Sequence, residues 1–228
     1  MVVTASLLAG GWDRLLSPLV WQADRGLQIE AVPASVPMAL RAADPAAWQV
    51  GMSHYQAFEL FGPGVDAWLV VSAVLGVLGL VTGLALLAHH LIRQQRDRQT
   101  WVHGVALSMV AIIAVIIVVN TIGTIVWLGG PLVALVAWLG PAHRAVGRLL
   151  ATLLVIAALS HLVYPVLYDR INGMADDPVW TPIATVVLVL RNLVLVLFTV
   201  DAVAAAWRTP PPAAVDALAH RSSDTRVN

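Results

Sequence analysis

Five apolar runs, each long enough to cross a bilayer, constrain this sequence more than any other feature. A transmembrane helix needs about 20 predominantly apolar residues to span ~30 Å of hydrocarbon. The runs cover residues 66–89, 101–119, 122–139, 149–168 and 182–207. Of the 228 residues, 59% are hydrophobic and 11% are charged, which departs strongly from soluble averages. The sequence therefore predicts an all-α integral membrane protein with about five transmembrane helices.

The second and third runs are continuous and need a break. As one helix, residues 101–139 would be ~58 Å long and would overshoot the bilayer. The stretch "NTIGT" at 120–124 combines polar residues with a helix-weakening glycine, which predicts a tight turn between two helices. The alternative is four spans plus a re-entrant segment, in which one helix reaches about Leu128 and the Gly-Gly-Pro of 129–131 ends it.

Arginine placement predicts how the spans are oriented, because positive residues are enriched in cytoplasmic loops. With five spans, eight arginines fall on one side: Arg93, Arg96, Arg98, Arg144, Arg148, Arg208, Arg221 and Arg226. That side should be the cytoplasm. Residues 1–65 and the acidic loop 168–180 should then lie outside a bacterial plasma membrane. Residues 208–228 are predicted to be a disordered cytoplasmic tail.

The outer segment, residues 1–65, precedes the predicted transmembrane bundle of residues 66–207. Its first part has apolar residues at helical spacing, which predicts a short amphipathic helix in the outer interface. This stripe consists of Trp12, Leu15, Leu16, Leu19 and Val20. Prolines within 32–50 exclude a long regular helix, and Gly-Pro-Gly at 62–64 predicts the turn into the first span.

Polar residues inside the spans predict a site, because ionisable groups are costly there. His161, Tyr164 and Tyr168 are spaced to share one face of the fourth span, while Arg191 and Asn192 lie at a similar depth in the fifth. Arginine binds phosphate through paired donors, so the pattern predicts a cationic patch for an anionic head group. Alternatively, Arg191 snorkels or bonds to backbone carbonyls, and the tyrosines are interfacial belt residues.

Other features narrow the possible functions. The net charge is zero, which gives no basis for a nucleic-acid partner. The chain has no cysteine, so disulfides and thiolate metal sites are excluded. His89 and His90 have no third ligand nearby in sequence, so we expect neither a metal nor a cofactor. Asp201 is expected either to be solvated or to pair with an arginine at the cytoplasmic end.

Four stretches together resemble the later half of a family of membrane enzymes. They are "WQADRGLQIEAVPAS", "SHYQAFELFGPGVDA", "VVNTIGTIVWLGGPLVAL", and "HLVYPVLYDRINGM" followed by "VLVLRNLVLVLF". In this order they resemble the actinobacterial polyprenyl-phosphate-sugar-dependent membrane glycosyltransferases, the mannosyltransferase-like group of the GT-C class. The resemblance covers about residues 12–207.

The resemblance implies transfer of a sugar, with mannose expected, from a polyprenyl-phosphate donor to a lipid or glycan acceptor at the outer face. A carboxylate would act as general base on the acceptor hydroxyl. In the family that acid belongs to an early outer loop without a counterpart here, so the catalytic residue is unknown. We therefore expect a partial or degenerate enzyme whose native chain begins upstream. Thr121 stands where the family commonly has lysine, which predicts weaker phosphate binding at this turn.

The candidate substrate-binding residues are Arg25, Gln28, Glu30, His161, Tyr164 and Arg191. The two candidate arginines would engage phosphate, and Glu30 and Gln28 would bond to sugar hydroxyls. Expected partners are a polyprenyl-phosphate lipid or glycolipid, membrane lipids, and an upstream half or another membrane protein. The alternative function is a non-enzymatic small membrane protein that binds a lipid or assembles with another membrane protein.

Overall fold

A computed structural model gives the fold of the chain. It describes residues 4, 10–14, 16–17, 20, 24–92, 98–123, 125–139, 144–175 and 177–208. The helices are α1 Ser35–Ala43, α2 Val65–Ile92, α3 Arg98–Val119, α4 Ile125–Leu139, α5 Arg144–His161, α6 Tyr168–Ile171 and α7 Trp180–Trp207. A 3-10 turn Val32–Ala34 precedes α1, a π turn Leu162–Val166 follows α5, and two strands, β1 Gln49–Met52 and β2 Phe58–Phe61, form a hairpin.

The chain is mostly helical, and four of its helices are long and apolar enough to cross a membrane. These segments are Val65–Ile92, Val102–Val119, Ala145–Val166 and Trp180–Trp207. The predicted count of five is not confirmed. The helix α4 has 15 residues and contains Pro131, so it spans only ~22 Å at 1.5 Å per residue. That length falls short of the hydrocarbon thickness.

The turn between α3 and α4 lies where the sequence predicted it. The helix α3 ends at Val119, and the side-chain oxygen of Asn120 accepts a hydrogen bond of 3.1 Å from the backbone nitrogen of Ile122. An asparagine that bonds to the backbone two residues later favours a turn over a helix. The alternative of one helix that reaches about Leu128 is therefore wrong.

The helix α3 forms the centre of the bundle. It packs against α2, α4 and α7, and α7 packs in turn against α5. Leu107, Val110 and Ala114 lie at helical spacing on the buried side of α3, in one core with Phe198 of α7. Gly79 of α2 lets the backbones approach, because a Cβ there would come within 2.7 Å of Val115. Small residues commonly allow such close approach of helices in membranes.

Residues 24–64 form a folded unit that we call the cap segment. It contains α1 and the hairpin, in which Val50 pairs with Leu60. Its apolar side chains share a second core with the π turn, α6 and α7, made by Leu27, Ile29, Met38, Trp48, Leu60, Val163, Ile171, Ala184 and Leu188. Gly64 has a φ of 75° and forms the predicted turn into α2. The cap segment is thus packed onto the bundle.

The cap segment fills a space that the short α3 leaves open. The hydroxyl of Ser72 in α2 donates to the carbonyl of Val119, where α3 ends, with a distance of 2.6 Å. The helix α2 begins seven residues before Ser72, which places its start ~10 Å beyond that level. The 3-10 turn of the cap segment contacts both α2 and α3. The cap segment therefore occupies the volume above α3.

The fourth span ends earlier than the sequence pattern predicted. The helix α5 ends at His161, and Tyr164 has extended dihedrals of φ −130° and ψ 124°. The prediction that His161, Tyr164 and Tyr168 share one helical face is therefore wrong. The physical reason is Pro165, which cannot donate a helical hydrogen bond and which restricts the preceding residue to extended conformations.

The predicted amphipathic helix is described only in part. Residues 10–14 are helical, and Trp12, Leu16 and Val20 are exposed. Leu15 and Leu19 lie outside the described residues, as do Arg93, Arg96, Arg221, Arg226 and the tail from 209 to 228.

At the opposite end of the bundle from the cap segment, Asp201 pairs with Arg148, one of the two outcomes that the sequence allowed. Both carboxylate oxygens of Asp201 accept hydrogen bonds from the guanidinium, with distances of 2.6 and 3.1 Å.

Candidate functional site

Two adjacent residues of α7 make buried polar contacts with the cap segment. Arg191 is 1% exposed, and its Nη2 donates to the carbonyl of Glu30 with a distance of 2.8 Å. The Nδ2 of Asn192 donates to the carbonyl of Ala31 at 3.2 Å and to the Oγ of Ser35 at 2.8 Å. Both side chains therefore fix the start of α1 and the turn before it to α7.

Glu30 is the acidic member of this junction. Its Oε2 lies 4.0 Å from the Nη2 of Arg191, and its carboxylate bonds to the hydroxyl of Tyr168. Burial raises the pKa of Glu30, and the charge of Arg191 and the bond from Tyr168 oppose that rise. Burial also raises the pKa of Tyr168, and the Glu30 charge raises it further. The junction thus contains a partly desolvated carboxyl group between a cation and a phenol.

Gln28 connects the cap segment to the turn between α3 and α4. Its backbone nitrogen donates to the carbonyl of Thr121 at 3.0 Å, and its Oε1 accepts from the backbone nitrogen of Gly123 at 2.6 Å. A Cβ at position 123 would come within 2.9 Å of the Cβ of Glu30. Glycine is therefore required here for close backbone approach.

The group formed by Glu30, Tyr168, Arg191 and Asn192, with Gln28 beside it, is called the junction cluster. Its members come from the first and fourth of the stretches that carry the family resemblance. Gln28 contacts the third stretch at Thr121 and Gly123, and Phe58 of the second meets Tyr168 edge-on. The walls around Glu30 and Arg191 leave no space for a water molecule. The junction cluster therefore holds the cap segment in place and has no room for a ligand.

A second polar group lies on the surface of the cap segment. The guanidinium carbon of Arg25 lies 5.2 Å above the ring of Tyr55, whose hydroxyl donates to the Oδ2 of Asp24 at 2.5 Å. That hydrogen bond raises the pKa of Tyr55. Glu59 on β2 is 6% exposed, and a Cβ at Gly26 would come within 2.5 Å of its Oε2. We call Asp24, Arg25, Tyr55 and Glu59 the surface cluster.

The cation of the surface cluster is Arg25, which is half-buried. The Nε of Arg25 is buried and has no hydrogen-bond partner among the described residues. A guanidinium on a tyrosine face is held by a cation–π contact and keeps its in-plane donors free for other groups. The ring of His54 lies beside the Tyr55 ring, with 3.7 Å between their centroids. The cluster therefore places a guanidinium beside two aromatic rings.

The structure distributes the six predicted site residues over three places. Glu30, Arg191 and Gln28 lie together at the junction, and Arg25 lies in the surface cluster. Tyr164 is exposed and meets Tyr168 edge-on, with ring centroids 5.0 Å apart. His161 is exposed and forms no bond or ring contact with the described residues. Arg191 bonds to the backbone carbonyl of Glu30. A bond from Arg191 to a backbone carbonyl was the alternative to its binding an anionic head group.

Sequence reasoning left out Glu59, Tyr55 and Tyr168 as site residues. Tyr168 already stood in the predicted face, but its partner Glu30 lies 138 positions earlier in the sequence. Glu59 and Tyr55 belong to the stretch "SHYQAFELFGPGVDA". Glu59 could have been found from the pattern Phe-Glu-Leu-Phe at 58–61, in which an acidic residue stands among apolar ones. Burying a carboxylate is costly, so such a residue indicates a specific role. Within the described residues, no three histidine or acidic groups come together as a metal site.

Comparisons with protein-family models, with curated proteins and with solved structures give no match to this chain.

Proposed function

We propose that this membrane protein binds a polyprenyl-phosphate-linked sugar at the cap segment and serves transfer of that sugar at the outer face of the bacterial plasma membrane. In this proposal the cap segment lies outside, and the end of the bundle with Arg148 and Arg208 faces the cytoplasm. Mannose is the expected sugar, in keeping with the family that the sequence resembles.

The observation that carries the proposal is the convergence of the resembling stretches. In the first stretch, Gln28 contacts the "NTIGT" turn and Glu30 contacts Arg191. Tyr168 of the fourth stretch bonds to Glu30. Residues far apart in sequence thus meet at one end of the bundle. This convergence holds the cap segment, and with it the surface cluster, at that end, as a binding site held by supporting contacts requires.

Arg25 is the residue that we assign to the phosphate. Guanidinium groups bind phosphate through two parallel hydrogen bonds, and this one lies at the surface beside Tyr55. The sugar would lie next to this guanidinium, beside the aromatic pair of His54 and Tyr55. The predicted roles of Arg191, Gln28 and Glu30 change accordingly, since these residues would position the cap segment without touching the substrate.

The proposed reaction is a displacement at the anomeric carbon. A bond forms between the acceptor oxygen and that carbon, the bond from the carbon to the phosphate oxygen breaks, and polyprenyl phosphate leaves. The hydroxyl proton goes to a carboxylate that acts as general base. We assign no residue to that step.

The test measures binding of polyprenyl-phosphate-mannose to the full chain in lipid nanodiscs. We expect Arg25→Gln to weaken binding about tenfold, because hydrogen bonds to charged groups contribute about 1.5–3 kcal/mol. Arg170→Gln is the matched control, since Arg170 is paired with Asp177 at 3.7 Å and lies outside the surface cluster. Absence of binding, or equal binding by the Arg25 variant, would contradict the proposal.

A non-enzymatic role is the second candidate function. The observation that favours it is the helix α2, whose exposed apolar residues cover most of its length, from Val70 to Ile92. Such a surface suits lipid or a helix of another membrane protein. Addition of radiolabelled lipid-linked mannose and a glycan acceptor separates the two candidates. Release of polyprenyl phosphate supports the enzyme, whereas binding without release supports the non-enzymatic protein.

A further inference from the structure

An apolar groove opens between α2 and α7 at the end of the bundle opposite the cap segment. Both helices pack against α3 but contact each other only slightly. The groove has a volume of about 680 Å³, within the range of small-molecule sites. Its lining includes Val81, Ala85, Val115, Val200, Val203 and Trp207.

The groove has the length of one leaflet. Its lining on α7 extends from Thr199 to Arg208, which is ~14 Å along a helix. One leaflet contributes about half of the ~30 Å hydrocarbon core. A lipid chain that starts at the membrane surface beside Arg208 would therefore follow the groove to about the middle of the bilayer.

The walls of the groove are chemically suited to a hydrocarbon chain. Apart from Trp207 and Arg208 at its open end, the groove is lined by two polar side chains, Thr82 and Thr199. The hydroxyl of Thr82 donates to the carbonyl of Leu78 at 2.8 Å, and that of Thr199 donates to the carbonyl of Leu195 at 2.9 Å. Because both hydroxyls are bonded within their own helices, the walls present mainly hydrocarbon.

The open end of the groove carries a cation and an aromatic platform. Arg208 follows the last residue of α7 and is exposed. Trp207 stacks on the ring of His89 at the end of α2, with centroids 4.4 Å apart and an angle of 18° between the rings. The buried Nε2 of His89 has no hydrogen-bond partner among the described residues. Basic groups beside grooves between transmembrane helices bind phosphate head groups.

We propose that this groove is a binding site for an anionic phospholipid, whose phosphate is bound by Arg208 and whose acyl chain lies against α2 and α7. The charge of Arg208 favours an anionic lipid over a zwitterionic one, and Trp207 and His89 fix the ends of α2 and α7 beside it. This site is separate from the cap segment and does not depend on the proposed sugar transfer.

The experiment compares lipids retained by the full chain in native mass spectrometry. We expect phosphatidylglycerol to be retained about fivefold more than phosphatidylcholine, since one arginine near the membrane surface contributes about 1 kcal/mol. Arg208→Gln should lower the retention of phosphatidylglycerol to that of phosphatidylcholine. The control Arg170→Gln removes a positive charge at the other end of the bundle and should leave the preference unchanged.

Three results would overturn the proposal. They are equal retention of the two lipids by the unaltered chain, an unchanged preference in Arg208→Gln, and stronger retention of polyprenyl phosphate than of phosphatidylglycerol. A second variant, Val203→Phe, fills the groove and should lower retention of both phospholipids. Arg208 is exposed and its substitution should not disturb folding, so Arg208→Gln decides the question even if Val203→Phe does not fold.

Discussion

Two arginines of the bundle pair with acidic residues in different surroundings. Arg191 faces Glu30 in the buried junction with the cap segment, and Arg148 faces Asp201 on the exposed surface of the bundle. The exposed pair has the better geometry, with two hydrogen bonds of 2.6 and 3.1 Å to Asp201. The buried pair is longer, with 4.0 Å between Arg191 and Glu30. Yet the side chain of Arg148 is 66% exposed and that of Arg191 is 1% exposed.

This difference shows that burial outweighs distance in setting what an ion pair contributes. An exposed pair contributes little, because solvent screens it and because ordering two long side chains costs entropy. Removing one partner of a buried pair leaves an uncompensated charge and exposes the full cost of its desolvation. Arg191 also donates to a backbone carbonyl, which would otherwise be buried without a partner.

The substitution Arg191→Leu should give the largest effect and test the comparison directly. It removes the cation beside Glu30 and the donor to the Glu30 carbonyl, so we expect a loss of about 3 kcal/mol in the free energy of unfolding. Thermal unfolding in detergent, together with limited proteolysis between residues 24 and 64, measures it. An unchanged unfolding temperature would show that the junction does not depend on its charge.

Asn192→Leu should have the next largest effect. The variant keeps the branched shape of the side chain but loses the donors to Ala31 and Ser35, so we expect a loss of about 2 kcal/mol in the free energy of unfolding. Chemical denaturation of the purified chain checks this value. The control Ser35→Ala removes only one of the two contacts and should lose less. Equal losses in both variants would argue that the bond to Ala31 contributes nothing.

Glu30→Gln should alter how stability depends on pH. Because burial raises the pKa of Glu30 above its ordinary value of 4.5 in the folded protein, the folded state favours the protonated form. This contribution to stability is complete below about pH 4.5 and is lost as pH rises through the folded pKa. Unfolding midpoints across this range should fall with pH in the unaltered chain and should depend less on pH in the variant. Parallel curves would contradict the assignment.

Arg148→Gln should have the smallest effect of the four. The exposed pair with Asp201 is screened by salt, so the unfolding temperature should change little and should converge with that of the unaltered chain as salt concentration rises. Arg191→Leu should keep its deficit at high salt. A salt-independent loss in Arg148→Gln would mean that this pair is shielded from ions.

Local features of the fold were predictable from the sequence. Asn120 and Gly123 indicated the turn after α3, and Gly64 indicated the start of α2. The end of α5 could also have been predicted, because Pro165 restricts Tyr164 to an extended conformation. Counting helical spacing through that proline produced the wrong face for His161.

The junction between the cap segment and α7 could be anticipated only in part. An arginine inside a span indicates a polar partner, but the sequence does not say which one. The carbonyl of Glu30 lies 161 positions from Arg191, and its availability depends on α3 ending at Val119. The space above α3 that the cap segment occupies exists because α3 ends before its neighbours α2 and α7. The sequence does not show how the ends of these packed helices align.

The contact between Arg191 and the cap segment also has a consequence for the order in which the chain is completed. At synthesis rates of 5–20 residues per second, the helix that carries Arg191 follows Glu30 by roughly 8–30 seconds. Throughout that interval the cap segment lacks Arg191, and for most of it the cap segment also lacks Tyr168. The helix α7 therefore closes a segment that is made well before it, and a ribosome that stops before α7 leaves the cap segment without its anchor.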